Sequence, residues 1–118
     1  MIYIASPFTH EDQEVVDSRV RETMRYTAHL LRKRHWCYSP VIHCHELALI
    51  HDLPTDAFYW RDYNEHMLDR AIAMHVLALP GWRKSRGVEH ERFHAMRREI
   101  KTLLINPTTY AEAHEAQL

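Results

Sequence analysis

The residue types and spacing best suited to chemistry lie between positions 79 and 91, Leu79-Pro80-Gly81-Trp82-Arg83-Lys84-Ser85-Arg86-Gly87-Val88-Glu89-His90-Glu91. Both glycines of the chain fall in this stretch, and glycine permits positive φ and close approach of backbone to a ligand. An apolar run at 75–79 precedes it and a helical pattern at 88–98 follows. A strand that gives way to a helix exposes free N–H groups and so makes a natural anion or ligand site. Glu91 sits in the first helical turn, on the face shared by Val88, Arg92 and Ala95, which directs it toward a sheet. The positive helix end favours an ionised carboxylate there by ~0.3–1 kcal/mol, and an ionised carboxylate is a competent nucleophile. Glu89 belongs to a different face. Ser85 is placed to cap the helix, and Gly87 allows a ligand near the backbone.

The elements that must position these residues follow in order. Residues 2–5 are short, apolar and β-prone, a buried strand that ends at Ser6-Pro7. Thr9 or Asp12 caps a long helix to Arg34, with Val16, Val20, Met24, Thr27 or Ala28, and Leu31 at helical spacing. Trp36-Cys37-Tyr38 is a second strand closed by Ser39-Pro40, and 41–50 reads as a loop with a short helix. Pro54-Thr55-Asp56 opens a helix to Ala73 on which Trp60, Asn64, Met67, Leu68 and Ala71 share a face. Strand three is 75–79, a helix covers 88–98, and strand four is 101–105. Asn106-Pro107 breaks strand four, and Thr108 or Thr109 caps a last helix. This alternation predicts an α/β domain spanning 1–118, a small parallel sheet of four to five strands with helices on both faces, flavodoxin- or Rossmann-like. Ligands in such sheets bind beyond the carboxyl ends of the strands, where the segments 6–9, 39–43 and 80–87 converge.

Bulk properties bound the function. At 118 residues the chain holds one core, and no apolar run reaches the ~20 residues of a membrane span. The first residues lack the basic and long apolar regions of a signal peptide, so a cytoplasmic location is expected. A net charge of −1, with basic and acidic residues interleaved, argues against a nucleic-acid duplex as partner. Arg32-Lys33-Arg34 suits the last turn of a helix, and the eleven histidines read as a solubility property. Cys37 and Cys44 give no disulfide framework. The cluster His43-Cys44-His45 lacks a paired metal-ligand spacing, so no metal and no organic cofactor is expected. Trp60 and Tyr63 offer apolar surface for self-association.

Tyr3-Ile4-Ala5-Ser6-Pro7-Phe8, together with Gly81-Trp82-x-x-Ser85-x-Gly87-x-x-x-Glu91, resembles the nucleoside 2-deoxyribosyltransferase superfamily, and most closely its small branch with a Leu-Pro-Gly-Trp-x-x-Ser-x-Gly signature. The resemblance extends in order and spacing through the Ser39-Pro40-x-x-His43 turn and the helix carrying Trp60 and Leu68. It implies an enzyme acting on the N-glycosidic bond of a nucleoside or nucleoside 5′-monophosphate. Glu91 would be the nucleophile that forms a glycosyl-enzyme, passed on to water or to another base. Ser85 would hold the 5′ end with the N–H groups around Gly87 and Val88. Relatives carry an aspartate that assists the base where this chain has Asn64, and an amide cannot donate a proton as an acid does. A non-catalytic nucleotide-binding module on the same fold is therefore the alternative. The remaining substrate contacts are expected from Ser6, from His43, and from Tyr3, Phe8 and Trp82, of which Phe8 and Trp82 would sandwich a base. The cations of Arg83-Lys84-Ser85-Arg86 suit a phosphate, and Arg19 is the helix-one arginine placed to reach one. The resemblance also implies a dimer or tetramer in which neighbouring subunits close the site, with 108–118 as a candidate for that contact.

Overall fold

The computed structural model describes residues 1–114. The elements are β1 (Ile2–Ala5), α1 (Gln13–Arg32), β2 (Cys37–Tyr38), α2 (Pro40–Ile50), α3 (Ala57–Asp69), β3 (Ala73–Leu77), a 3₁₀ turn (Trp82–Lys84), α4 (Arg86–Arg97), β4 (Thr102–Ile105) and β5 (Glu112–His114). They build one five-stranded sheet in the order β2-β1-β3-β4-β5. The first four strands are parallel and β5 runs antiparallel to β4. This is the expected α/β architecture, and its strand order reverses direction between β1 and β3. Loops leaving those two strands part there, which opens the crevice in which doubly wound sheets bind ligands.

Alternation along the strands divides the core in two. Tyr3, Ala5, Met74, Val76 and Leu104 face α3 and α4 with Leu68, Val88 and Ala95. Ile2, Ile4, Leu77, Leu103 and Ile105 face α1 through Tyr26 and Leu30. Both faces of β1 and β3 are covered, which is why these strands read as continuous apolar runs.

Several boundaries differ from the sequence expectation. α1 starts after Asp12, whose side chain accepts from Glu14 N–H, and Thr9 is not the cap. Its buried positions are Val16, Thr23, Tyr26, Thr27 and Leu30, while Met24 and Leu31 are exposed. The helix is therefore turned from the expected stripe, because buried tyrosine and threonine hydroxyls find partners: Tyr26 Oη lies 2.7 Å from His75 Nδ1 and Thr27 Oγ1 donates to the Thr23 carbonyl. Residues 41–50 form a full helix rather than a loop, with Ser39 as cap and Pro40 in the first turn. Its exposed Leu47, Leu49 and Ile50 blur any apolar stripe. α3 begins after Asp56, which accepts from Tyr59 N–H, and ends at Asp69, not Ala73. Ala73 instead opens β3 as the register partner of Ile2.

The expected last helix is replaced by a hairpin. Asn106 Oδ1 accepts from the N–H groups of Thr108 and Thr109, an Asx-type turn that competes with a helix start. Tyr110 then takes φ of 61° and packs against Tyr26 and His29, so the chain returns along β4. Residues 115–118 of the expected helix lie outside the described residues.

The two glycines have different reasons to be glycine. Gly81 has φ of +87°, and a Cβ built there would lie 2.7 Å from Arg19 Nη2. A Cβ at Gly87 would meet only Ser85 Oγ at 3.9 Å, an ordinary contact. Gly81→Ala should therefore destabilise the fold by more than ~1 kcal/mol, whereas Gly87→Ala should be neutral or stabilise α4 by up to ~1 kcal/mol. Thermal melts of the two variants check this, and equal losses at both positions would contradict it.

Candidate functional site

β1 and β2 pair in register at Tyr3 and Tyr38, so the two rings lie side by side on the α3/α4 face, centroids 5.7 Å apart. Each hydroxyl holds one candidate residue from a different helix. Tyr3 Oη donates to Glu91 Oε2 of α4 at 2.5 Å, and Tyr38 Oη donates to Asn64 Oδ1 of α3 at 3.0 Å. The structure thus brings Glu91, Asn64 and Tyr3 together. Tyr3 is fully buried, and burial with the nearby Glu91 carboxylate keeps its phenol well above the ordinary range, so it remains a donor.

Glu91 does point to the sheet, but its ionisation differs from expectation. Burial pushes its carboxyl up to about 8, with the Tyr3 hydrogen bond acting in the opposite direction. Because α4 starts at Arg86, Glu91 lies in its second turn and not the first, and Glu89 is the first-turn acid. The helix end therefore offers Glu91 less than the ~0.3–1 kcal/mol of a first-turn carboxylate, below the 1.36 kcal/mol of a single pKa unit. Desolvation wins, and the carboxyl of the free site is mostly protonated at neutral pH.

On the α1 side of the β1/β3 crevice lies a cavity of about 470 Å³ whose wall includes Thr9, His10, Arg19, Gly81, Lys84 and Ser85. Among the described lining residues none is acidic. Arg19 donates to the carbonyls of Thr9 and Pro80, fastening the loop after β1 to the loop after β3. Ser85 belongs both to this cavity and to α4. Its Oγ accepts from Val88 N–H at 3.2 Å, which corrects the expected donor set, because Val88 is already used by the cap. Among the described residues no acceptor meets the N–H groups of Arg86 and Gly87. The Ser85 hydroxyl proton and those two N–H groups face the same helix end, about 9 Å along the axis from Glu91 at 1.5 Å per residue.

The other expected contacts are placed as follows. Ser6 is buried toward α1, its Oγ 3.0 Å from Thr23 Oγ1. Phe8 is half-buried and meets the His45 ring edge-on at 4.5 Å, tying the loop after β1 to α2. His43 is exposed, stacks on Tyr38 at 4.9 Å, and has Nδ1 2.9 Å from the Ser39 carbonyl. Trp82 is 7% exposed and packs in the core, with the Arg83 and Arg92 guanidinium groups over its ring. It is a packing residue, not an open stacking surface for a base. His43 and Cys44 both meet Tyr38, at its ring and at its Oη, whereas His45 turns to Phe8.

Sequence reasoning missed the clasp that sets α3 against α4. His94 Nε2 lies 2.6 Å from Asp69 Oδ1, its Nδ1 3.5 Å from Glu65 Oε1, and His90 Nε2 3.3 Å from Glu65 Oε2. The His94 hydrogen bond, and secondarily Arg98, hold the Asp69 carboxyl below its ordinary range. His90 and His94 bracket Glu91, and Glu65 follows Asn64 directly. The signal was present as two i,i+4 pairs of opposite type on adjacent helices, but the histidines had been read as a bulk property.

A doubly wound α/β domain with a half-buried carboxyl and a cation-lined cavity at its strand-order reversal is the class of protein that fold and site define. The chain belongs to the family described as "Domain of unknown function (DUF1937)", which matches residues 1–106. No curated protein matches it. No helix among the described residues is long and apolar enough to cross a membrane.

Because burial raises the Glu91 carboxyl from 4.5 to about 8, its folded form holds a proton that the unfolded chain releases. The stability this gives is complete below about pH 4.5 and disappears as pH rises through about 8. Glu91→Gln keeps an acceptor for Tyr3 without a titrating group. Its melting temperature should match the parent near pH 4.5, exceed it increasingly up to about pH 8, and then hold a constant gap. A gap independent of pH would show that the carboxyl is not held protonated.

Proposed function

We propose that this protein cleaves or transfers the N-glycosidic bond of a nucleoside or nucleoside 5′-monophosphate, with Glu91 as nucleophile. The observation that carries the reading is the pairing of Glu91 and Asn64 across Tyr3 and Tyr38, with a cavity bearing Arg19 and Lys84 at the N-terminal end of the helix that holds Glu91. The superfamily resemblance of the motifs around Ser6 and Ser85 supports the same chemistry. The cations favour a 5′-phosphate, with Ser85 and the N–H groups of Arg86 and Gly87 as its donors.

In the reaction one Glu91 carboxylate oxygen forms a bond to the anomeric carbon while the carbon–nitrogen bond breaks and its electron pair leaves with the base. Water, or the N–H nitrogen of a second base, then attacks that carbon and returns the Glu91 carboxylate, the proton it loses passing through solvent to the released base anion. No metal or organic cofactor enters these steps. Tyr3 orients the carboxyl and stabilises its ionised form. The exposed Leu49, Ile50, Phe58 and Tyr63 of α2 and α3 support a dimer or tetramer, and the setting proposed is the cytoplasm.

The experiment is chromatographic release of free base from a panel of nucleosides and 5′-monophosphates. Release should be faster with the 5′-phosphate, rise with pH to a plateau above about 8 as Glu91 ionises, and fall by on the order of 10³-fold or more in Glu91→Ala. The second reading, a nucleotide-binding module without turnover, draws on Asn64 standing where relatives carry an acid. Tight binding with no base released at any pH would establish it in place of the enzyme.

A further inference from the structure

The cavity at the β1/β3 crevice is larger than a single 5′-phosphate needs. Its volume of about 470 Å³ falls within the ~300–1,000 Å³ of small-molecule sites. Its described lining includes neither Glu91 nor Tyr3, so a sugar placed for attack by Glu91 lies outside it. Ser85 joins the two regions, lining the cavity and capping the helix that carries Glu91. A phosphate held by Ser85 and the N–H groups of Arg86 and Gly87 therefore stands at one wall of the cavity. The opposite wall belongs to α1 and the loop before it, across the sheet from the face that holds Tyr3. That far wall presents donors. Arg19 commits two of its five N–H groups to the carbonyls of Thr9 and Pro80, which fixes the guanidinium and leaves three. Asp12 N–H donates to His10 Nδ1 at 2.9 Å, so the ring proton sits on Nε2 as a further donor. Lys84 adds an ammonium from the 3₁₀ turn. Among the described residues no carboxylate pairs with Arg19 or Lys84. A neutral base would leave these cations unmatched, whereas a phosphoryl group supplies acceptors for all three side chains.

We infer that Arg19, Lys84 and His10 form a second phosphate subsite, and that the substrate class is a nucleoside 5′-diphosphate. The inference rests on the proposed function for the nucleoside part, while the anion subsite stands on the cavity itself. The α-phosphate takes the helix end at Ser85, and the β-phosphate reaches across the crevice to α1. Two anchors on different loops hold the 5′ end more firmly than one, and so orient the sugar along α4 toward Glu91.

The test measures dissociation constants by titration calorimetry, with EDTA present so that no divalent cation bridges the phosphates. The probes are the 5′-mono- and 5′-diphosphates of adenosine and cytidine, with inorganic phosphate and pyrophosphate beside them. The Glu91→Gln protein is used so that nothing turns over. Each diphosphate should bind about tenfold or more tightly than its monophosphate, and pyrophosphate likewise against phosphate, through added charge-assisted hydrogen bonds. Lys84→Ala and His10→Ala should each shrink these ratios by about threefold or more. Lys101→Ala removes an exposed cation outside the cavity and should leave them unchanged. Ratios near one, no binding of any diphosphate, ratios that Lys84→Ala and His10→Ala fail to move, or an equal fall in Lys101→Ala would each overturn the subsite. If the parent protein still released base from a monophosphate in that case, the glycosidic reading would survive alone. Pyrophosphate preference that is lost in Lys84→Ala, with no base released from any nucleotide by the parent protein, would keep the subsite and sink the glycosidic reading.

Discussion

The pairing of β1 with β2 at Tyr3 and Tyr38 is the constraint on which the candidate site depends. Because strand side chains alternate, a slip of one residue would turn one of the two hydroxyls to the α1 face. Glu91 and Asn64 come from helices separated by a complete β-strand, yet both are held by atoms one strand spacing apart. Register is in turn fixed by the apolar partners that continue along β1 and β3, from Ile2 opposite Ala73 to Ala5 opposite Val76. The hydrophobic core thus specifies the polar geometry.

Burial then sets the chemistry of what the register has gathered. Around Glu91, the loss of water outweighs both the helix end and the phenol hydrogen bond, so the carboxyl holds its proton. The polar hydroxyls beneath it, those of Tyr3 and Tyr38, are likewise confined to their neutral forms. The clasp formed by His90, His94, Glu65 and Asp69 flanks Glu91 on α4, with His94 buried and the two carboxyl side chains partly exposed. One helix therefore carries both the carboxyl held by Tyr3 and the residues that grip α3. The clasp keeps that carboxyl at a fixed distance from α3.

The alternation of elements was legible because β1 and β3 are apolar runs and α4 is preceded by glycine, signals that are local. The direction of Glu91 was legible from helical spacing with Val88 and Ala95. What escaped was set by long-range contacts. The face of α1 is chosen by Thr23, Thr27 and Tyr26, whose burial depends on Ser6 and on His75, 49 residues from Tyr26. Trp82 was expected to face a ligand because it follows a strand on the ligand side of the sheet, but two arginines and the core claim it. The ionisation of Glu91 was misjudged for the same reason, since a helix-terminus argument counts the nearest dipole and not the water removed by a distant strand.

The reversal at Asn106 and the docking of Tyr110 also govern how the sheet ends. The family match stops at residue 106, immediately after β4, whose Leu103, Leu104 and Ile105 are buried. Without a further strand, the backbone of this apolar segment would form an open edge, a template for pairing with other chains. β5 occupies that edge antiparallel, with Glu112 and His114 exposed on either side of Ala113. Exposed polar side chains make a poor template, so the hairpin exchanges an adhesive sheet margin for one that discourages aggregation.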